Sequence, residues 1–140
     1  MISILSYFLP TPQQKSTARI SKPDVLKLFS DVQDTKFSDQ NYKMVDVDQL
    51  QKFLRKDLTS LRKYKKTAHD CDDFSFILMG DVTKWDSDLA FGIAWGYTPS
   101  GTYHAFNIAI DVTQQVRIIE PQTDEIFADL DEWDIRFVIM

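Results

Sequence analysis

Residues 69–74 read HDCDDF and hold the chain's single cysteine, Cys71. A lone thiol can be a nucleophile, a metal ligand or a buried apolar residue, and the residue types around it weigh on each choice. Flanking carboxylates oppose a thiolate. Asp70, however, suits a helix N-cap, which places Cys71 in a first helical turn where unpaired N–H groups and the macrodipole favour an anion. Those N–H groups could equally donate to an oxyanion on a bound carbonyl. Asp72 and Asp73 also have a plain explanation, since acidic side chains are enriched in first turns.

A nucleophilic thiol needs a base, and the base needs a group to orient it. Two histidines are available. His69 precedes Cys71 by two residues and would lie outside the helix, an awkward reach back to sulfur. His104, in the run YHAFNIAID, sits on a segment that reads as a strand facing the helix start. Glu120 ends the apolar run VRIIEP, which should pair antiparallel with the His104 strand across a turn at 112–115. With Phe106 opposite Glu120, His104 becomes the diagonal neighbour of that carboxylate on one face. A slip of one residue would separate them. Asn107 and Asp111 are rival orienters: Asn107 projects to the other face, and Asp111 lies far along the strand.

The elements that would position these groups divide the chain into a helical part, about 1–84, and a sheet part, about 85–140, of one α+β domain. Ser21-Lys22-Pro23 reads as an N-cap with proline in the first turn, opening a short helix over DVLKLFSDV. Residues 33–45 read as a loop with a short extended piece at 42–45. Asp46 caps a longer helix on which Val47, Leu50, Phe53, Leu54, Leu58 and Leu61 keep helical spacing. A third helix opens at Asp70 or Cys71, with Phe74, Ile77, Leu78 and Val82 inward. Beyond Trp85 the period changes to two: FGIAWGY alternates large and small residues, and Thr98-Pro99-Ser100-Gly101 is a turn. YHAFNIAID, VRIIEP and DIRFVIM complete an antiparallel sheet of three to five strands. The small residues at 92–96 imply close packing on their face.

The 140 residues fit one domain with a real core, and 44% hydrophobic with 13% aromatic residues is a globular composition. A net charge of −5 opposes nucleic-acid binding through a broad basic face, and the local run at 62–66 reads as a solvated helix end. One cysteine excludes a disulfide framework and a cysteine-rich zinc site. The opening MISILSYFLPTP lacks the basic start and cleavage site of a secretory signal, and no stretch reaches the ~20 apolar residues of a membrane span. The expectation is a soluble cytoplasmic protein with no nucleic-acid or membrane partner.

The segments DCDDF, YHAFNI and IIEPQT, in that order, resemble the papain-like and transglutaminase-like cysteine enzymes. Within these they are similar to the family of the Marasmius oreades agglutinin C-terminal domain and its small bacterial and phage relatives, over about residues 42–127. The resemblance implies a calcium-dependent cysteine peptidase of papain-like fold, a thiol protease acting on a peptide or protein. Cys71 then looks like the nucleophile, His104 the base, Glu120 its orienter and Gln122 a polar support for the oxyanion. Trp95 and Tyr97 would line the substrate groove, beside the simpler reading of sheet packing. The lectin domain that precedes the agglutinin's protease domain has no counterpart here, and no glutamine shortly precedes Cys71; Gln49 is too distant to take that place. Calcium takes six to eight oxygens. Asp70, Asp72 and Asp73 could supply several, with Asp81, Asp86 and Asp88 nearby, although no EF-hand spacing is present. Three other readings stay open: a non-catalytic interaction protein of the same fold, encoded by a phage or plasmid; an acyltransferase joining glutamine to amine; and a metal-dependent transferase using Asp70-Cys71-Asp72.

Overall fold

The computed structural model describes residues 12–13, 16–61 and 70–140. His69, the basic run at 62–66 and the start of the chain lie outside the described residues. In chain order the elements are β1 (Arg19–Ser21), α1 (Lys22–Leu28), β2 (Asp34–Lys36), β3 (Asn41–Lys43), α2 (Val47–Lys56), a 3-10 turn (Thr59–Leu61) and α3 (Cys71–Trp85), followed by β4 (Phe91–Tyr97), β5 (Tyr103–Ile110), β6 (Val116–Glu120), β7 (Glu125–Phe127) and β8 (Asp134–Ile139).

The helices start where their caps place them. Ser21 accepts from the Asp24 N–H at the head of α1, and Asp46 accepts from the Gln49 N–H at the head of α2. α2 stops earlier than its apolar spacing suggests. Asp57 turns extended and its carboxylate takes the Thr59 N–H at 2.9 Å, which competes with continued helix. Leu58 and Leu61 therefore fall beyond the helix and are exposed. In α3, Phe74, Leu78 and Val82 point inward as their spacing predicts, joined by Ser75.

Six strands form one sheet in the order β2-β8-β4-β5-β6-β7, and β1 pairs with β3 in a small separate ribbon. This corrects the expected division into a helical half and an antiparallel sheet. Three strands lie in the first half, and β2 joins the main sheet parallel to β8, making it mixed. Short extended pieces such as Asp34–Lys36 carry no period of their own and gain strand geometry only from the partner edge.

The sheet is covered on both faces. Leu50, Leu54, Leu78 and Val82 of α2 and α3 pack on Phe91, Ala109 and Ile119, while Ile20, Val25 and Phe29 meet Ala94, Phe106, Ile108, Ile118 and Val138 on the other side. The small residues of β4 answer to a neighbouring strand. A Cβ on Gly92 would lie 2.1 Å from the Ile139 carbonyl oxygen, and one on Gly96 equally close to that of Asp134. The close approach inferred from the sequence is thus real, but its source is the β8 backbone.

Candidate functional site

The register of β5 and β6 decides which side chains share a face. Asn107 stands opposite Ile119 and Ile108 opposite Ile118, so the next step brings Phe106 to Glu120 and makes His104 its diagonal neighbour. His104 Nε2 meets Glu120 Oε2 at 2.5 Å, with both side chains largely buried. The other carboxylate oxygen, Oε1, accepts the backbone N–H of Gln122 at 3.1 Å. Gln122 therefore acts here through its main chain.

Cys71 approaches the same strand from the helix layer. The ladder with β6 begins at Asn107, leaving the Ala105 N–H to donate to Cys71 Sγ at 3.5 Å. Ala105 is the residue after His104, so thiol, imidazole and carboxylate gather at one end of the sheet. α3 is tied to the sheet through an unforeseen relay. Asn107 Nδ2 donates to the Ser75 and Gly92 carbonyl oxygens, and the Ser75 hydroxyl donates to the Cys71 carbonyl. Asn107 serves this bridge from the face opposite His104, and does not orient the imidazole. Asp111, the other rival, is absorbed by the 112–115 turn and by Arg117 at 2.7 Å. Both polar roles escape a reading of strand pattern, because each depends on a partner distant in sequence.

The electrostatics of the helix start are acidic. Asp73 reaches back to the Asp70 N–H, and the Asp73 N–H donates to Asp72. Carboxylate oxygens of Asp70, Asp72 and Asp73 lie within 4.8 Å of one another. Hydrogen bonding to Asp72 first, then burial and the nearby charges, holds the Asp70 carboxyl above its usual range. Burial, followed by the Asp70 and Asp72 charges, pushes the Cys71 thiol up, and the lowering effect of the Ala105 N–H does not offset it. Burial and the neighbouring carboxylates thus favour the neutral thiol over the thiolate. Asp81, Asp86 and Asp88 do not join this cluster: Asp86 pairs with Lys43 and Asp88 with Arg19.

Aromatic rings continue from this end of the sheet. Trp95, cross-strand partner of Ala105, lies 6.1 Å from Phe76 and 5.5 Å from Phe137. Tyr97 and Tyr103 pack edge to face at 5.2 Å, and the Arg136 guanidinium sits over Tyr97. Tyr103 is 55% exposed, Phe76 51% and Tyr97 41%, whereas Trp95 is partly covered. Phe76 and Tyr103 escaped the sequence reading. The first looked like one more residue of a helix and the second like an ordinary strand start.

A largely antiparallel six-stranded sheet packed by helices, with a polar cluster and exposed aromatic rings at one end, defines a β-rich single-sheet module. Residues 42–126 match the agglutinin C-terminal family, and the chain belongs to that family. No curated protein matches it. Two solved structures share its fold. The one described as "PSL1a-E64 complex" has a TM-score of 0.77 and 21% identity over 87% of this chain and 51% of its own. The Polyporus squamosus lectin bound to the human-type influenza-binding epitope Neu5Aca2-6Galb1-4GlcNAc has a TM-score of 0.73 and 20% identity over 87% and 49%. The chain therefore spans about half the length of each.

These findings confirm the relation to agglutinin C-terminal domains and correct what was attached to it. The agglutinin C-terminal family and the fold shared with the Polyporus squamosus lectin stand against the papain-like fold, the cysteine peptidase activity with its hydrolase and thiol-protease character, and the peptide substrate expected from the resemblance. Among the described residues, no helix is long and apolar enough to cross a membrane.

Proposed function

We propose that this chain is a non-catalytic carbohydrate-binding module whose ligand lies along the aromatic strip beside Cys71 and the start of α3. The observation that supports this reading is the exposed ring set Phe76, Tyr97 and Tyr103, running into a cluster of carboxylates. A sugar ring has a flat C–H face and a rim of hydroxyls. Aromatic rings accept the first, and carboxylates pair with the second. The His104–Glu120 pair projects from the opposite face of β5, so the polar groups this strip meets are those at the start of α3. In this reading Cys71 is a packing and hydrogen-bonding residue on the Ala105 N–H.

The test is binding to an immobilised glycan array by wild type, Tyr103→Ala and Phe76→Ala. Retention on a subset of glycans, weakened at least about tenfold by either truncation, is the expected result; each ring contributes on the order of 1 kcal/mol or more at such a contact. Failure to retain any glycan, or retention indifferent to both truncations, would overturn it.

We further propose that Asp70, Asp72 and Asp73 take a divalent cation of the calcium class. Their carboxylate oxygens crowd within 4.8 Å of one another, and a bound cation would relieve that crowding of like charge. Three carboxylates supply part of a calcium shell of six to eight oxygens. Titration with calcium should raise the thermal transition of wild type and leave that of an Asp72→Asn, Asp73→Asn double variant unmoved. Equal shifts in both would remove the site.

A further inference from the structure

Away from this site, α2 and α3 end side by side. Phe53, Lys56 and Asp57 at the close of α2, with Asp81, Lys84 and Trp85 in the last turns of α3, line a cavity of about 320 Å³. Its apolar side is formed by Phe53 and Trp85, stacked on each other with ring centroids 4.5 Å apart and planes 15° from parallel. Its other side is acidic. The Thr59 N–H donates to Asp57 and the Thr59 hydroxyl to Asp81, so one threonine brings the two carboxyls together. Two carboxyls held side by side favour a shared proton or a cation. Burial, with Asp81 as the next cause, pushes Asp57 up to about 6. The two helix C-termini add the negative ends of their dipoles to the same space. Lys84, an exposed residue, also lines the cavity.

We propose that this cavity binds a small organic amine, its ammonium group on the Asp57–Asp81 pair and its ring on the Phe53–Trp85 wall. The chemistry is that of a cation facing both carboxylate and aromatic surface. The volume lies near the lower end of ligand pockets, about 300–1,000 Å³, which selects a ligand with one ring. Lys56 and Lys84 also line the cavity, so its preference for an amine over a carboxylate of the same shape rests on where Asp57 and Asp81 stand, beside the rings, and not on net charge.

Ligand-observed NMR with phenethylamine and, separately, 3-phenylpropionate tests this. The amine should bind wild type and the carboxylate should not. Asp81→Asn should weaken the amine by about tenfold, as expected for the loss of a charge-assisted hydrogen bond. Lys84→Ala, at an exposed position that removes a competing cation, should tighten it about threefold. Equal binding of the two probes, no binding of the amine, or an Asp81→Asn variant with an unchanged thermal transition and undiminished affinity would each overturn the proposal. If Asp81→Asn does not fold, Lys84→Ala decides the matter: weaker or unaltered amine binding contradicts it. Because Tyr103 and Phe76 do not line this cavity, glycan binding and amine binding can fail separately.

Discussion

Asp111 gathers four hydrogen bonds, from the Thr113 N–H and hydroxyl, the Gln115 N–H and Arg117 Nε, while its side chain is nearly sealed from solvent. Burial alone would raise its carboxyl, but the Thr113 and Arg117 hydrogen bonds outweigh burial and hold it below the usual range. A carboxylate depressed in the folded state contributes stability above its unfolded pKa and loses that contribution as pH falls through the folded value. Asp111→Ala should therefore cost about 3 kcal/mol at pH 7, since it leaves Arg117 and three donors unpaired. Chemical denaturation at pH 7 and pH 3 checks this: the gap between variant and wild type should shrink at the lower pH, and a constant gap would contradict the assignment. At this scale the sequence was half legible. The meeting of His104 and Glu120 is expected on the condition that Phe106 stands opposite Glu120, and the β5–β6 register meets that condition. The structural roles of Asn107 and Asp111 were hidden, because a polar residue in a strand does not announce which backbone group it serves.

The elements owe their placement to backbone contacts as much as to apolar patterning. β4 alternates large and small residues, and the small ones sit where β8 closes in. Gly96→Ala should destabilise the fold by about 2 kcal/mol or more, because the added methyl meets the Asp134 carbonyl and the strand cannot withdraw without losing its ladder. Gly80→Ala is the control: nothing lies near its added carbon, and alanine favours helix by about 1 kcal/mol. Thermal unfolding should separate the two in opposite directions, and a neutral Gly96→Ala would refute the close-approach account. The long helices and the strands from 91 onward were legible because each carries its own period over several residues. β1, β2 and β3 were not, being three residues each. Such pieces are strands only by virtue of their partners, which is also why the mixed character of the sheet could not be read in advance.

Among the described residues, charge is distributed so that two half-buried carboxyls, Asp57 and Asp124, resist ionisation besides Asp70 at the surface. Burial pushes Asp57 up to about 6 with help from Asp81, and burial also pushes Asp124 up to about 6 against a lowering hydrogen bond from Ser60. Asp124 Oδ1 is buried with no hydrogen-bond partner. A carboxyl raised on folding binds its proton more tightly in the native state. The stability it contributes is full below about pH 4 and is lost as pH rises through about 6. Asp124→Asn should thus stabilise the protein at pH 7.5 and approach neutrality by pH 4, a trend opposite to that of Asp111→Ala. Thermal transitions at those two pH values measure it, and a larger benefit at the acidic end would be inconsistent with a raised Asp124. The family to which the chain belongs was legible from three short segments, but the peptidase activity attached to that likeness was not carried by the fold. The order of cysteine, histidine and acid says which residues meet, and says nothing of the charge state in which they are held.

That charge state is open to direct measurement. The rate of Cys71 alkylation by iodoacetamide, followed by mass spectrometry from pH 5.5 to 10 with and without calcium, reads the thiol's pKa in the folded protein. A binding site with a thiol pushed up by burial, Asp70 and Asp72 predicts slow labelling at and below pH 7, a rise only above pH 9, and little change in His104→Ala. Fast labelling at pH 6 that collapses in His104→Ala would reveal a thiolate paired with imidazolium, and would contradict the non-catalytic account.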